Sequence, residues 1–355
     1  MNRMKLGEIL SVKHGWAFKG EYFAEDGEQS ILTPGNFFEK GGFKPNNGKE
    51  RYYTGTYPKE YLCHKGDLIV AMTQQAEGLL GSTALVPENN KYLHNQRIGL
   101  ITCDEKRLNK LFAYYLFMTK SVREQLERSS SGTKVKHTSP EKIYDVEVEI
   151  PDVISQQKIA NLLWAIDEKI ANNNAINDNL EQQAKLIYDY WFTQFDFPDE
   201  NGKPYCSSGG KMVWNEQLKR NIPENWKVAQ LKDIFNVSGK PISRDDCQTD
   251  AYYTPIDVIP KRTMTFAGGL SAAEANSSLQ VYEENNILLG AMRVYFHRVC
   301  ISAQSGITRT TTLVLKPKVD EYLGYAYQVL NDDNAILYAC LLYTSDAADD
   351  LTRVD

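Results

Sequence analysis

Nothing in the 355 residues is long and apolar enough to cross a bilayer, since no apolar run approaches the ~18 residues of a spanning helix. The start of the chain, MNRMKLGEILSVKHGW, has no hydrophobic region of signal-peptide type, and a cytoplasmic protein with no membrane partner is expected. Six cysteines (Cys63, Cys103, Cys206, Cys247, Cys300, Cys340) lie scattered without C-x-x-C spacing. They suit neither a disulfide framework nor a zinc ribbon, and reduced, idle thiols are expected. His14, His64, His94, His137 and His297 sit apart with no metal-ligand spacing. No G-x-x-x-x-G-K-[ST] loop, G-x-G-x-x-G fingerprint or H-E-x-x-H helix occurs, so nucleotide hydrolysis, dinucleotide binding and zincin chemistry lack their usual carriers. Pro198-Asp199-Glu200 with Lys203 superficially suggests a nuclease, but its acids are adjacent, whereas a two-metal site needs carboxylates converging from different elements. It is read as a turn, and no catalytic residue or metal ligand is expected in this chain.

A large excess of charge of either sign is also lacking. The net charge is −6, and its distribution matters more than its size. Residues 1–150 carry 21 Lys+Arg against 19 Asp+Glu (+2), residues 151–200 carry 3 against 9 (−6), residues 201–300 carry 12 against 10 (+2), and residues 301–355 carry 4 against 8 (−4). The two large blocks are thus slightly basic, which permits binding to nucleic acid through local patches without requiring it.

What is present is a pattern. Ile159, Leu163, Ile166, Ile170, Asn173, Asn177, Leu180, Ala184, Ile187 and Trp191 follow one another at alternating spacings of four and three, a heptad seam. A helix from Ser155 to Phe192 would be roughly 55 Å long, and a seam of this kind requires another helix alongside it. Asn173 and Asn177 either fix register and partner or mark a break that faces solvent; both readings stand. After the helix comes the aromatic and glycine-rich run FDFPDENGKPYCSSGGKMVWN (Phe195 to Asn215).

On either side of the helix the chain reads as mixed α/β. Residues 1–151 offer short β-prone runs at Ser30–Leu32, Tyr52–Tyr53 and Asp67–Met72, then a helix over Leu108 to Glu127 and an alternating strand that ends at Pro151. The later block repeats this order. Val228 to Phe235 matches Met4 to Leu10, Tyr252 to Val258 matches Ser30 to Phe37, Ile287 to Arg293 matches Asp67 to Thr73, and Tyr322 to Leu330 matches Leu111 to Thr119. The expected fold is α+β, with two mixed α/β domains (1–151 and 223–339) joined by the long coiled-coil helix (152–194) and a connector (195–222). Cys340 to Asp350 back-translates to codons resembling a transposase adapter of sequencing libraries. Residues 340–355 are therefore set aside, the second domain is expected to be incomplete, and the reading frame is expected to have continued past residue 339.

With catalytic motifs absent, the polar loops carry the functional reading. DNA recognition needs Arg, Lys and amide groups at base edges, and basic or hydroxyl groups on phosphates. The first block offers Arg51, Tyr53, Thr73, Gln74, Gln75, Arg97, Lys134, Lys136 and His137, with Asn95 and Gln96 beside Arg97. The second offers Lys261, Arg262, Arg293, Tyr295, His297, Arg298 and Arg309. Each cluster alone is a weak signal, because charged loop residues are usually just solvated.

The exit strand and helix, VEIPDVISQQKIANLLWAIDEKIANNNAINDNLEQQAKLIYDYWF, and the connector, FDFPDENGKPYCSSGGKMVWNEQLKRNIPENWKVAQLKDIF, resemble the specificity subunit of a type I restriction–modification system. GWAFKGEYF, PGNF (Pro34 to Phe37) and GDLIVAMT (Gly66 to Thr73) resemble that family's first target-recognition domain. The resemblance implies two target-recognition domains, each reading one half of a bipartite, asymmetric site in double-stranded DNA, while the helix sets their spacing and docks methyltransferase subunits. It also implies S-adenosylmethionine, ATP and Mg in partner subunits, the methyltransferases and the motor–nucleases, with no cofactor in this chain. The alternatives are the recognition part of a fused restriction–methylation enzyme and a coiled-coil scaffold with no DNA role.

Overall fold

The structure, a computed structural model, describes residues 2–46, 48–74, 78–132, 135–248, 250–275 and 278–337. The tail assigned to adapter sequence, 340–355, lies outside the described residues, as do Gln75 and Lys134. The chain divides into two units, 1–171 and 172–355, and the division falls inside one continuous helix.

In the first unit, strands β1 (Asn2–Lys5), β2 (Leu10–His14), β3 (Phe23–Ala24), β4 (Ser30–Ile31), β5 (Tyr52–Tyr53), β6 (Leu68–Ala71), β7 (Thr83–Leu85), β8 (Tyr92–Leu93) and β9 (Ile98–Cys103) come first. Helices α1 (Lys110–Leu116), α2 (Lys120–Ser129) and α3 (Pro140–Tyr144), strand β10 (Glu147–Ile150) and helix α4 (Val153–Tyr188) follow. One sheet has the order β2-β9-β6-β7 and a second β3-β5-β4-β8, in which β4 and β8 run parallel; β1 pairs antiparallel with β10. All four residues of β6 are buried, as an interior strand covered on both faces requires. Leu68 and Val70 join Phe112, Phe117, Leu126 and Ile143 of the helical layer. Ile69 and Ala71 join Leu32, Phe37, Ala84 and Ile98 on the other side. Each of the larger of these side chains, Val, Leu, Ile and Phe, contributes about 1.5–3 kcal/mol by leaving water.

The single helix expected over Leu108 to Glu127 is instead two. Asn109 caps α1 by accepting from the Phe112 N–H (2.9 Å), and the Thr119 hydroxyl turns back to the Leu116 carbonyl (2.7 Å) while its own backbone is extended. A hydroxyl that bonds locally competes with helix continuation, and the periodicity across Phe117 to Thr119 conceals the break.

Helix α4 starts with the Asp152 carboxylate accepting from the Ser155 N–H (3.0 Å) and hydroxyl (2.7 Å). Its first turns dock on the first unit. Gln156 is buried, donating to the carbonyls of Arg107 and Pro151 and accepting from the Asn109 N–H, while Asp167 accepts from the Tyr115 hydroxyl at 2.7 Å. The heptad seam lies elsewhere on the helix. Ile159, Ile166, Ile170, Leu180 and Ile187 are 43–57% exposed, Asn173, Asn177 and Trp191 are exposed, and Leu163 and Ala184 are half-buried. Among the described residues the seam is thus largely uncovered, and the exposed asparagines do not separate the two readings of them.

In the second unit α4 ends in a π turn (Asp189–Thr193), the Gln194 N–H reaching the Asp189 carbonyl at 2.8 Å. The connector is folded: Phe197 stacks on Tyr205 (4.8 Å) and Trp226 (5.2 Å), Asp196 accepts from the Ser207 N–H and hydroxyl, and Asp199 closes a turn by accepting from the N–H groups of Asn201 and Lys203. A hairpin of β11 (Met212–Asn215) and β12 (Arg220–Pro223) and the short α5 (Leu231–Ile234) precede the main sheets. Their strands are β13 (Phe235–Val237), β14 (Lys240–Ile242), β15 (Tyr252–Tyr253), β16 (Thr265–Phe266), β17 (Leu270–Ser271), β18 (Leu279–Tyr282), β19 (Ile287–Gly290), β20 (Val299–Ser302), β21 (Gly306–Arg309) and β22 (Thr312–Pro317), followed by α6 (Leu323–Asn331).

The duplication visible in the sequence is a duplication of topology. The order β13-β22-β19-β20 repeats β2-β9-β6-β7, with β16 added at its edge. In the other sheet β17-β15-β21 repeats β5-β4-β8, and the β15–β21 pair is parallel as the β4–β8 pair is. Even single hydrogen bonds correspond: the Leu32 N–H meets the Leu93 carbonyl at 3.0 Å, and the Thr254 N–H meets the Ile307 carbonyl at 2.8 Å.

Candidate nucleic-acid interface

Three connections in each unit carry most of the polar clusters marked in the sequence, and they are equivalent by strand order. Arg51 lies on β4–β5, Thr73 and Gln74 on β6–β7, and Arg97 on β8–β9. Lys261 and Arg262 lie between β15 and β17, Arg293, Tyr295, His297 and Arg298 between β19 and β20, and Arg309 at the end of β21. Lys136 and His137 belong to a fourth segment, after α2, whose backbone pairs with the β6–β7 connection: the Gln74 N–H donates to the Lys136 carbonyl (2.9 Å), and the Thr73 hydroxyl lies 3.1 Å from His137 Nδ1.

In the first unit β4–β5 and β8–β9 converge on a cleft of about 440 Å³. Lys49, Arg51 and Arg97 line it with Thr33, Asn46, Asn95 and Gln96, over Phe18, Phe23 and Ile31, and among the described residues no carboxylate lines it. Three cations beside three amides form a local anion-attracting surface on a unit that is nearly neutral overall. Thr33, Asn46 and Lys49 are the residues sequence reasoning missed. For Asn46 and Lys49 a signal was available in FKPNNGKER, where amides and lysines sit together in a turn; Thr33, before Pro34, carried none.

Other marked residues turn inward. Tyr53 is 5% exposed, its ring packed by Phe18, Tyr22 and Tyr57, because alternation along β5 points it into the core. Thr73 is buried, and Lys136 is paired with Glu127. His297 is buried with Nε2 lying 3.1 Å from Arg262 and 3.3 Å from Asp333, and Arg262 itself meets Asp333 at 3.1 Å. Lys261 sits over the Phe296 ring at 4.0 Å. The Arg298 side chain is only 15% exposed, and its Nη1 donates to the carbonyls of Ile256 (2.8 Å), Asp257 (2.8 Å) and Ile259 (2.6 Å). Arg293, Tyr295 and Arg309 remain exposed, Arg293 on a left-handed backbone (φ 54°) that a non-glycine residue rarely adopts.

The remaining titratable groups describe a framework. Burial pushes the thiols of Cys63, Cys103 and Cys300 up to about 12, so they are protonated and unreactive at neutral pH. Among the described residues no group of His, Cys, Asp and Glu is placed to hold a metal ion, and no helix is long and apolar enough to cross a membrane.

Each unit pairs two sheets and carries polar loops on matching connections, a duplicated α+β architecture. Residues 1–182, half of the chain, match the family model described as type I restriction modification DNA specificity domain, and the chain belongs to that family. Similar curated proteins are the type I restriction enzyme MjaIX specificity subunit of Methanocaldococcus jannaschii (33% identical over 126 residues, 36% of this chain and 27% of that protein) and the MjaVIII specificity subunit of the same organism (22% over 191 residues, 54% and 45%). The chain therefore spans between about a quarter and a half of these relatives. Among solved structures, the S subunit of a type I restriction–modification system from M. genitalium shares the fold, with a TM-score of 0.57 and 15% identity over 98% of this chain and 80% of that one.

Proposed function

We propose that the chain reads DNA for a type I restriction–modification complex, each unit recognising one half of a split, asymmetric site. The duplication carries this reading: one strand order occurs twice, and equivalent connections, β4–β5 with Lys49 and Arg51 and β15–β17 with Lys261 and Arg262, both hold arginine with lysine. The cleft of the first unit supports it further, because Arg and Lys suit phosphates and guanine, while Asn and Gln suit adenine. Helix α4, with 36 residues and a length of about 54 Å, acts as the spacer, and its uncovered seam docks a helical partner in an assembly with methyltransferase subunits. Adenine methylation with S-adenosylmethionine, and ATP- and Mg-dependent translocation and cleavage, belong to those methyltransferase and motor–nuclease partners. This chain contributes recognition and no catalytic group, and acts in the cytoplasm.

The test is binding of duplex DNA at several salt concentrations. Affinity should fall steeply with salt, and Arg51→Ala with Arg97→Ala should reduce the slope of log affinity against log salt by about 2. Binding indifferent both to salt and to these substitutions would reject the cleft as a DNA surface.

A further inference from the structure

One arginine in each unit ties together the same pair of connections. In the second unit, Arg298 stands in the β19–β20 connection and donates to three main-chain carbonyls, those of Ile256, Asp257 and Ile259, in the segment between β15 and β17. Nearby bonds bind the same two segments: the Arg262 N–H reaches the His297 carbonyl at 3.0 Å, and Lys261 lies over Phe296. In the first unit Arg123, on α2, donates to the carbonyls of Gly78 (2.9 Å) and Leu80 (2.6 Å) in the β6–β7 connection and to that of Glu39 (3.3 Å) in the β4–β5 connection. The Ser82 hydroxyl and the Phe38 carbonyl, 2.5 Å apart, close the same gap. The two arginines come from different elements, so the shared feature is the bridge and not a repeated residue.

We infer that Arg298 and Arg123 are positioning residues for DNA recognition, each fixing two reading loops of its unit relative to one another through main-chain carbonyls. This rests on the DNA-reading function proposed above. At Arg123 a planar guanidinium suits the role because Nη1 and Nη2 reach different connections from one rigid fork, which lysine lacks while keeping the charge. At Arg298 the three carbonyls share the two N–H bonds of Nη1, and the planar group holds that donor against them. With the fork pointing inward, neither arginine is a phosphate contact. Discrimination between sequences depends on them, and counterion release does not.

The experiment is selection of the full chain on a duplex library with two randomised blocks, repeated with Arg298→Lys and Arg123→Lys and, in parallel, Arg298→Gln and Arg123→Gln. Hydrogen exchange is followed at the amides of residues 256–259 and 78–82. Each substitution should speed exchange in its own segment and lower enrichment in one block by roughly tenfold, a different block for each arginine, with the salt slope unchanged. A slope reduced by about one with both blocks retained makes the arginine a phosphate contact and overturns the inference. So does equal loss in both blocks, as expected of a general folding defect, or unaltered exchange. If a glutamine variant does not fold, the lysine variant decides. A wild-type chain that enriches neither block refutes the DNA-reading function itself, whereas accelerated exchange would still establish the bridges.

Discussion

Burial holds the His94 imidazole at about 4, well below its ordinary 6.5, with Nε2 lying 2.8 Å from the Ile98 carbonyl and Nδ1 enclosed without a partner. The unfolded chain takes up this proton near pH 6.5 and the folded chain only near pH 4. The stabilisation from a neutral His94 is therefore complete above pH 6.5 and is lost as the pH falls towards 4, by at most about 3 kcal/mol. Urea denaturation at pH 7 and pH 4.5 should show a smaller difference for His94→Gln than for the wild type; equal differences would place the proton elsewhere. Exposed Arg293 gives a second residue-scale prediction. Arg293→Ala should weaken recognition at one half-site by about 1–3 kcal/mol with little effect on the melting temperature, as read by half-site substitution in binding assays. Composition marked Arg293 and Arg298 equally, since both sit in one short polar run after a buried strand. Only the path of the β15–β17 segment turns Arg298 inward, and that path is a long-range property invisible to local spacing.

At the scale of elements, the heptad of α4 was plain in the sequence because a period of 3.5 residues is a strong signal. Its termini were not, since Asp152 extends the start by a cap and the π turn replaces the last residues expected to be α-helical. An apolar seam more than two-fifths exposed at Ile166 and Ile170 should draw a second helix in solution. Light scattering should find the wild type self-associating and Ile166→Glu with Ile170→Glu monomeric; a strictly monomeric wild type would contradict this. The connector was legible as unusual, but its compactness comes from rings distant in sequence. Trp226→Ala removes a stack on Phe197 and an edge contact with Phe195, and should destabilise the second unit by on the order of 2 kcal/mol in denaturant titration.

For the molecule as a whole, repeated strand order could be read from the chain because short apolar runs recur in the same sequence. Convergence of loops from separate strands could not, so Arg97 joined Lys49 and Arg51 only in the structure. Seven residues inserted between Asn173 and Asn177 lengthen α4 by about 10 Å while turning it by only about 20°, and should widen the unspecified gap in the recognised sequence by about 3 base pairs. Long-read sequencing of methylated DNA, with methyltransferase partners supplied, checks this, and an unchanged motif would reject the spacer role. The arginine bridges have a further consequence for divergence. Every acceptor they use is a peptide carbonyl, which any amino acid supplies at Glu39, Leu80, Ile256, Asp257 or Ile259, while Gly78 sits at φ 78° and favours glycine. Mutations in the loops can thus rewrite side chains facing outward without loosening the bridges, and under the proposed reading each such change offers the lineage a new recognition sequence on an inherited scaffold.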